Sequence, residues 1–416
     1  MIVAACHSNS SGPHNANLTG VFNAPTGSIG SALISGPSNY STTMVGTTTL
    51  SALNPGDYSF SVKNIRIDDP IVSPLDTGFA TPNPVNVVSD QTDTAIVTYN
   101  QRPGTGGAWI TNGAATGTLV QYTSGQLGVG GAPTPAITLS GAPLASATDV
   151  VVDTRGNLWV LTASTDAILE YTVDQLTGAT AGSPLKILVG ATPGGIAFDF
   201  AGNLWVTIPG DSGQLIEYSS IDLQRVTASG ATLTPVAVGR SFLPQDSLTA
   251  LSFDGAGNLW IAAKHRGEVV FYPASTLTTT SPYPPYSLQI GATPTIPILD
   301  LRGNLWVFTS AHTILEYSAS QIPTITNTTV PAVTVTINNS APIGAAAFDN
   351  SGTLWMAAPS AGALLTLTAQ QLSAGGTQTP TTSVTGVTTP SGIAFDPRGV
   401  GVPLYGSRAP RTASTH

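Results

Sequence analysis

The chain has 416 residues, of which only 8% are charged, and its formal net charge is −9. Lysine, glutamate and arginine are too scarce to cover many amphipathic helices, which excludes a largely helical protein. The acidic balance argues against a nucleic-acid partner, and no apolar run reaches the length of about 18 residues that spans a bilayer. Gly, Pro, Ser, Thr and β-branched residues dominate instead, so we predict an all-β protein.

Residues 1–17 contain the single cysteine, Cys6. The segment Val3-Ala4-Ala5-Cys6 resembles a bacterial lipobox, in which small residues precede a cysteine that is lipidated after cleavage, and the following residues resemble a tether. Met1 and Ile2 leave no room for the charged and apolar regions of a signal, so either translation starts upstream or the match arises by chance. The lipobox interpretation implies an extracytoplasmic protein of a bacterial cell envelope, either secreted or held at the membrane only by its lipid anchor.

Residues 18–101 alternate short apolar stretches with turn residues, which predicts a small β-sandwich. The turn at 53–58 places Pro55 where φ is preset and Gly56 where a positive φ costs little. With the late strand ending in Tyr99, this turn resembles the transthyretin-like or carboxypeptidase-regulatory modules of bacterial surface proteins. The resemblance implies a spacer or adhesion module that brings no catalytic residue.

Residues 102–399 repeat a unit whose clearest copy reads Gly-Ile-Ala-Phe-Asp-x-x-Gly-Asn-Leu-Trp-Val at 195–206. Every tryptophan of the chain belongs to the repeat: Trp109, Trp159, Trp205, Trp260, Trp306 and Trp355. The matching aspartates are Asp153, Asp199, Asp254, Asp300, Asp349 and Asp396. Each unit contains four strand-sized runs, as expected of one propeller blade.

The tryptophan and aspartate series are offset by one unit, because Trp109 has no aspartate before it and Asp396 has no tryptophan after it. We therefore predict that the strand at 392–396 is the innermost strand of the blade that begins near Gly107. The predicted fold is a six-bladed β-propeller with C-terminal strand closure, preceded by the small β-sandwich. Residues 400–416 depart from the repeat and are assigned to a tail.

The repeated residues predict structural roles. The aspartate should accept hydrogen bonds from the N–H groups of a tight hairpin, the following glycine should adopt a left-handed conformation, and the tryptophan should pack between neighbouring blades. The repeat resembles NHL-like, sugar-lactonase-like and streptogramin-lyase-like six-bladed propellers. The resemblance implies the fold, which serves enzymes, ligand-binding proteins and scaffolds alike.

The variable residues of the repeat are predicted to lie on one face. The links that enter the inner strands and the loops between the second and third strands open on that face, and variation on one face of a repeat array marks a binding side. These positions include Asp149, Asp166, Asp211, Arg240, Gln245, Asp246, Lys264, His265, Arg266 and His312.

The most distinctive cluster is Lys264-His265-Arg266-Gly267-Glu268, with His312 near the corresponding place in the next blade. A cation-rich rim here suits an acidic glycan or carboxylated ligand. Two histidines near a glutamate could also hold a metal or move protons, whereas the alternative is solvated loop residues on separate blades.

We therefore predict a non-catalytic extracytoplasmic binding or scaffold protein without a cofactor, whose partner is a small molecule, a glycan or a cell-envelope component. The alternative is a metal-dependent hydrolase or lyase with its site at the channel mouth. The lactonase-like resemblance implies a divalent metal held by acidic and amide side chains, for which Asp149 and Asp246 are the acids near strand entrances. The lyase-like resemblance implies a His/Glu centre, for which His265, Glu268 and His312 are the candidates.

Overall fold

The computed structural model describes residues 16–24, 30–62, 65–66, 75–101, 107–153, 157–172, 175–176, 183–199, 202–210, 213–219, 222–223, 231–233, 237–239, 247–277, 286–300, 302–339, 341–349 and 351–395. These residues fall into two compact units, one ending near residue 101 and the other beginning near residue 107. Within these ranges, no helix is long and apolar enough to cross a membrane.

The first unit is a β-sandwich. Its described strands are β1 Ala16–Asn23, β2 Ser31–Gly36, β3 Tyr40–Val45, β4 Thr48–Leu53, β5 Gly56–Val62, β6 Ile65–Arg66, β7 Leu75–Thr81, β8 Val85–Val87 and β9 Thr92–Gln101. They form one sheet in the order β4-β1-β9-β7-β6 and a second in the order β3-β2-β5-β8. Alternate residues such as Leu18, Ile34, Phe60 and Val97 point into one shared apolar core, which confirms the predicted sandwich.

The turn between β4 and β5 fixes one corner of this sandwich. Gly56 has a φ of 140°, which favours glycine, and the Tyr58 hydroxyl donates a hydrogen bond of 3.0 Å to the Asn54 carbonyl. The Tyr58 ring also fills the space above Gly36, where an added Cβ would lie 2.3 Å from the ring. The Asn-Pro-Gly-Asp-Tyr segment therefore combines a turn with a buried anchor.

The described residues of the second unit form six mainly antiparallel sheets, one for each predicted blade. Blade 1 comprises β10 Ala108–Asn112, β11 Thr118–Tyr122, β12 Ile137–Ser140 and the C-terminal β35 Pro390–Phe395. Blade 2 comprises β13 Ala147–Val152, β14 Leu158–Thr162, β15 Ala167–Tyr171 and β16 Leu185–Leu188. Blade 3 comprises β17 Gly195–Phe198, β18 Leu204–Ile208, β19 Gln214–Tyr218 and β21 Ala237–Gly239.

The remaining blades follow the same pattern. Blade 4 comprises β22 Leu248–Phe253, β23 Leu259–Ala263, β24 Glu268–Tyr272 and β25 Tyr286–Gln289. Blade 5 comprises β26 Pro294–Leu299, β27 Leu305–Thr309, β28 Thr313–Tyr317 and β29 Val333–Ile337. Blade 6 comprises β30 Ala345–Phe348, β31 Leu354–Ala358, β32 Ala363–Leu367 and β34 Thr381–Thr385. The links also contain the short strands β20 Ala231–Thr232 and β33 Gly376–Gln378 and the helices α1 Ser124–Val129 and α2 Ala369–Ala374.

The C-terminal strand closes the ring as predicted. Strand β35 pairs with β10, and Trp109 lies opposite Ala394. In the other blades the tryptophan likewise pairs with the residue two positions before the repeated aspartate, as Trp159 pairs with Val151. The inner strands contact one another around the ring, including β30 with β35 and β35 with β13. The last strand therefore supplies the missing inner edge of the first blade.

The repeated aspartate and tryptophan form one hydrogen-bonded hairpin. In blade 3 the Oδ1 atom of Asp199 accepts from the Asn203 backbone N–H at 2.9 Å, and its Oδ2 atom accepts from the Trp205 Nε1–H at 2.9 Å. Gly202 has a φ of 79°, the left-handed conformation predicted for this turn. The Trp205 ring meets Phe253 of blade 4 edge to face at 6.2 Å, so the tryptophan packs between blades.

The apolar core of the propeller lies between blades. Six clusters of buried residues each combine two neighbouring blades, including one that joins blades 6 and 1. That last cluster places Trp355 and Leu364 of blade 6 with Ile110 and Phe395 of blade 1. Closure by β35 therefore completes an apolar interface as well as a strand ladder.

The links after the third strands cover the outer edges of preceding blades, which the sequence did not predict. Strand β20, from the blade 3 link, pairs in parallel with β16 of blade 2, and β33, from the blade 6 link, pairs in parallel with β29 of blade 5. Gly131 of the blade 1 link forms a parallel bridge with Val384 of blade 6. These contacts occupy strand edges that would otherwise be open to pairing with another chain.

Candidate functional site

The two loop types that we predicted to share a face do meet at one end of the blades. The backbone N–H of Lys264, in the second-to-third loop of blade 4, donates a hydrogen bond of 3.0 Å to the carbonyl of Ser247 at the entrance to β22. The same contact joins Ser310 to Thr293 in blade 5 at 2.9 Å. The candidate residues of these loops therefore project from the face opposite the Asp-x-x-Gly turns.

Lys264 and His265 are exposed at the tip of the blade 4 loop. Among the residues that the structure describes, neither side chain has a hydrogen bond or an ion pair. Since the chain has 13 lysines and arginines in total, two adjacent basic side chains without a compensating acid form a local positive feature. We call Lys264 and His265, together with His312, the basic rim.

Arg266 has a different environment from its two neighbours. Its Nε atom lies 3.5 Å from the Oε2 atom of Glu268, and the Glu268 side chain is only 6% exposed. The Oε1 atom of Glu268 accepts a hydrogen bond from the Gln289 side chain, whereas Oε2 has no hydrogen-bond partner among the described residues. Because a buried carboxylate needs charge compensation, Arg266 is part of the support of blade 4.

His312 aligns with Gly267 of blade 4, and not with His265. Its φ is 58°, close to the 66° of Gly267, and its carbonyl accepts from Ile337 at 2.8 Å just as the Gly267 carbonyl accepts from Ile290 at 2.9 Å. The left-handed conformation is unfavourable for a residue with a Cβ, and such strain is concentrated at functional positions. The His312 side chain has no hydrogen bond or ion pair with any described residue.

Asp149 lies in the inner strand of blade 2 and is tied to the next blade. Its Oδ1 atom accepts from the Val150 backbone N–H at 2.8 Å, and its Oδ2 atom accepts from the Ile196 backbone N–H of blade 3 at 3.2 Å. Burial raises the pKa of the Asp149 carboxyl to about 6, although both hydrogen bonds lower it. Gly392 packs so closely against this residue that a Cβ added to the glycine would lie 3.0 Å from the Asp149 Cα, and this contact helps to enclose Asp149.

Several predicted site residues lie outside the described residues, namely Cys6, Asp211, Arg240, Gln245 and Asp246. Within the described ranges, no three His, Cys, Asp or Glu side chains form a group that could hold a metal ion. The Glu268 carboxylate contacts Gln289 and Arg266. These contacts do not bring Glu268 together with His265 and His312 in the His/Glu centre that a lyase would need.

The structure also reveals carboxyl groups that the sequence interpretation did not select. The third strands of blades 2, 3 and 5 end in a Glu-Tyr pair, whose glutamate is Glu170, Glu217 or Glu316. In blade 2 the Asn157 side chain donates to both Glu170 and Asp153 at 3.0 Å, which brings the glutamate beside the hairpin aspartate. The pKa of Glu217 is raised to about 7, mainly by burial and to a smaller extent by repulsion from Asp199. The recurrence of a Glu-Tyr pair in blades 2, 3 and 5 was the available sequence signal.

The chain matches no protein-family model and no curated protein. Similar solved structures include a protein of unknown function from Bacteroides caccae, with 11% identity, a TM-score of 0.48, and coverage of 70% of this chain and 98% of that one. Virginiamycin B lyase from Staphylococcus aureus has 15% identity, a TM-score of 0.42, and coverage of 73% and 95%. A nidogen/laminin complex has 12% identity, a TM-score of 0.47, and coverage of 70% and 98%. The propeller assignment rests on the six sheets and their closure.

Proposed function

We propose that the chain is a non-catalytic extracytoplasmic binding or scaffold protein, in which the propeller binds a carboxylated ligand and the transthyretin-like sandwich acts as a spacer. The observation that carries this proposal is the basic rim, whose exposed Lys264 and His265 lack described partners. A carboxylate that reaches this rim gains charge-assisted hydrogen bonds without displacing an existing ion pair. An acidic glycan with repeated carboxylates is the favoured ligand class.

Trigalacturonate is a suitable probe, because it is a small glycan with one carboxylate on each ring. We expect the K264A/H265A double variant to bind it about tenfold more weakly than the wild type, because charged hydrogen bonds are lost. Isothermal titration calorimetry at low and physiological salt measures the effect. The control is R302A, which removes an exposed basic residue at the opposite end of blade 5. Equal binding by the double variant and the wild type would place the site elsewhere.

Arg266 requires a separate variant. Because Arg266 compensates the buried Glu268, R266A should lower the free energy of unfolding by about 2 kcal/mol. The R266A/E268Q double variant should recover most of this loss, since the uncompensated charge is gone. Denaturant unfolding of the three proteins measures both effects, and a fully stable R266A would show that the pair contributes little.

The alternative enzyme class is tested by elemental analysis of the purified protein combined with a screen for lactone, ester and lyase turnover. A stoichiometric divalent metal, with turnover that a chelator abolishes, would overturn the non-catalytic proposal.

The proposed location at the cell envelope depends on a lipid anchor at Cys6, so C6S should move the protein from the membrane fraction to the soluble fraction. A protein that remains at the membrane after this change would require another anchor.

A further inference from the structure

Blade 4 departs from the repeat on its turn face, at the opposite end of the blade from the basic rim. Phe271 pairs with Trp260 in the register in which Glu170 pairs with Trp159. The residues at this position in the other blades are all polar: Gln121, Glu170, Glu217, Glu316 and Thr366. Blade 4 therefore carries an aromatic side chain, Phe271, where the other five blades carry a polar one.

Phe271 belongs to a row of three aromatic side chains. Its ring centroid lies 4.3 Å from that of Trp260 and 5.8 Å from that of Tyr286, and the Phe271 and Tyr286 rings are tilted by 43°. Tyr286 is 53% exposed. Phe271 and Tyr286 line a groove of about 650 Å³ between blades 4 and 5, together with Asp254, Gly255, Ala256 and Asn258 of blade 4 and Ile322 and Pro323 of blade 5. This size is typical of a small-molecule site.

The described lining of the groove carries no basic side chain, and its one carboxylate, that of Asp254, already accepts hydrogen bonds within blade 4. The Oδ2 atom of Asp254 accepts from the Asn258 side chain at 2.8 Å and from the Trp260 Nε1–H at 3.1 Å. Its Oδ1 atom accepts from the backbone N–H groups of Ala256 and Asn258. The groove therefore suits an uncharged ligand.

We propose that this groove binds a neutral saccharide. A pyranose ring has a face of C–H groups that can pack on Phe271 and Tyr286, and hydroxyl groups at its edge that need polar partners. The Tyr286 hydroxyl and the main-chain carbonyls of Gly255 and Ala256 supply such partners. The two rings are tilted by 43° and their centroids lie 5.8 Å apart, so one sugar ring can contact both of them.

The test uses the whole chain and four neutral probes: maltohexaose, cellohexaose, xylohexaose and chitohexaose. We expect at least one to bind with a millimolar dissociation constant by calorimetry and to change the tryptophan fluorescence, since Trp260 lies beneath Phe271. F271E, which restores the residue of blades 2, 3 and 5, and Y286A should each weaken binding by about tenfold. V330A removes an exposed apolar side chain in the blade 5 link and is the matched control.

Failure of all four probes to bind the wild type would overturn the proposal, as would unchanged binding by Y286A. If F271E does not fold, Y286A serves as the test, because Tyr286 is exposed and its removal should leave the fold intact. Binding of a synthetic Ser-Pro-Tyr-Pro-Pro-Tyr peptide in place of the saccharides would assign the groove to peptides. The K264A/H265A variant should bind the neutral saccharide normally, so this result is independent of the basic rim.

Discussion

Asp254 illustrates why one aspartate recurs in the blades of the propeller. It is 5% exposed, and its two oxygens accept from two backbone N–H groups, the Asn258 side chain and the Trp260 indole. A single carboxylate thus closes the hairpin and orients the tryptophan that packs against the next blade. The same bonds recur in blade 5 with Asp300 and Trp306.

We expect D254A to lower the free energy of unfolding by about 3 kcal/mol, because several buried donors lose their acceptor. D254N should cause a smaller loss, since it retains one oxygen for the backbone N–H groups of the turn. Chemical denaturation of both variants measures the difference. A D254A protein as stable as the wild type would show that water replaces the carboxylate in the turn.

Asp149 should make stability depend on pH. Burial raises its pKa to about 6, above the value of about 3.9 expected in the unfolded chain. The native state therefore holds the proton more tightly, and this contribution to stability is present at low pH and is lost as the pH rises to about 6. D149N should flatten the fall in unfolding free energy over this window.

Denaturant titrations at several pH values test this expectation. E217Q is the comparison variant. The pKa of Glu217 is raised to about 7, so the contribution of Glu217 to the free energy of unfolding extends to higher pH than that of Asp149. The two windows overlap, so E217Q should remove the fall mainly above about pH 6, whereas D149N should remove it mainly at lower pH. The same slope in D149N and the wild type would assign the pH dependence to other carboxyl groups.

A Gln-Leu pair follows the third strand in blades 1, 2 and 6, at 126–127, 175–176 and 371–372, and its glutamine holds the link to the fourth strand. In blade 6 the Gln371 side chain accepts from the backbone N–H of Thr368 at 2.9 Å and donates to the carbonyl of Thr379 at 3.1 Å. The Thr368 hydroxyl in turn caps α2. The glutamine therefore fixes the link that carries β33 to the edge of blade 5.

Q371A should lower the free energy of unfolding by about 1 kcal/mol, because it removes half of a capping box and the bond to the link. The adjacent Gln370 is exposed and provides a matched control, so Q370A should unfold like the wild type. Thermal and denaturant unfolding compare the two proteins. Equal stability of Q371A and Q370A would show that β33 holds the link without the glutamine.

At the scale of the whole molecule, stability should depend on the closing strand. Deletion from Thr389 onward removes β35, which pairs with β10 and contributes Ile393 and Phe395 to the interface of blades 6 and 1. We expect this truncation to lose cooperative unfolding, because two blade edges and an apolar interface become exposed. Calorimetry detects the change, and truncation after residue 399 is the control. An unchanged transition in the shorter protein would argue against closure by β35.

The fold was predictable from the sequence, because the residues that specify it are close in sequence and recur along the chain. The period-2 stretches specify strands, Asp-x-x-Gly-Asn-Leu-Trp specifies a hairpin, and the offset of Trp109 and Asp396 specifies how the ring closes. The predicted strand at 392–396, for example, corresponds to β35. Each of these inferences depends on residues close in sequence or on exact repetition.

Which candidate side chains are free to bind a ligand depends on the packing of the blades. Glu268 and Gln289 are separated by 21 residues, and the pairing of β24 with β25 brings them together and leaves the Glu268 side chain only 6% exposed beside Arg266. Likewise, Asp149 meets Ile196 across 47 residues, and its raised pKa follows from the enclosure that closing the ring creates. Burial and charge compensation depend on neighbours brought together by blade packing, and a linear pattern of residues does not contain those distances.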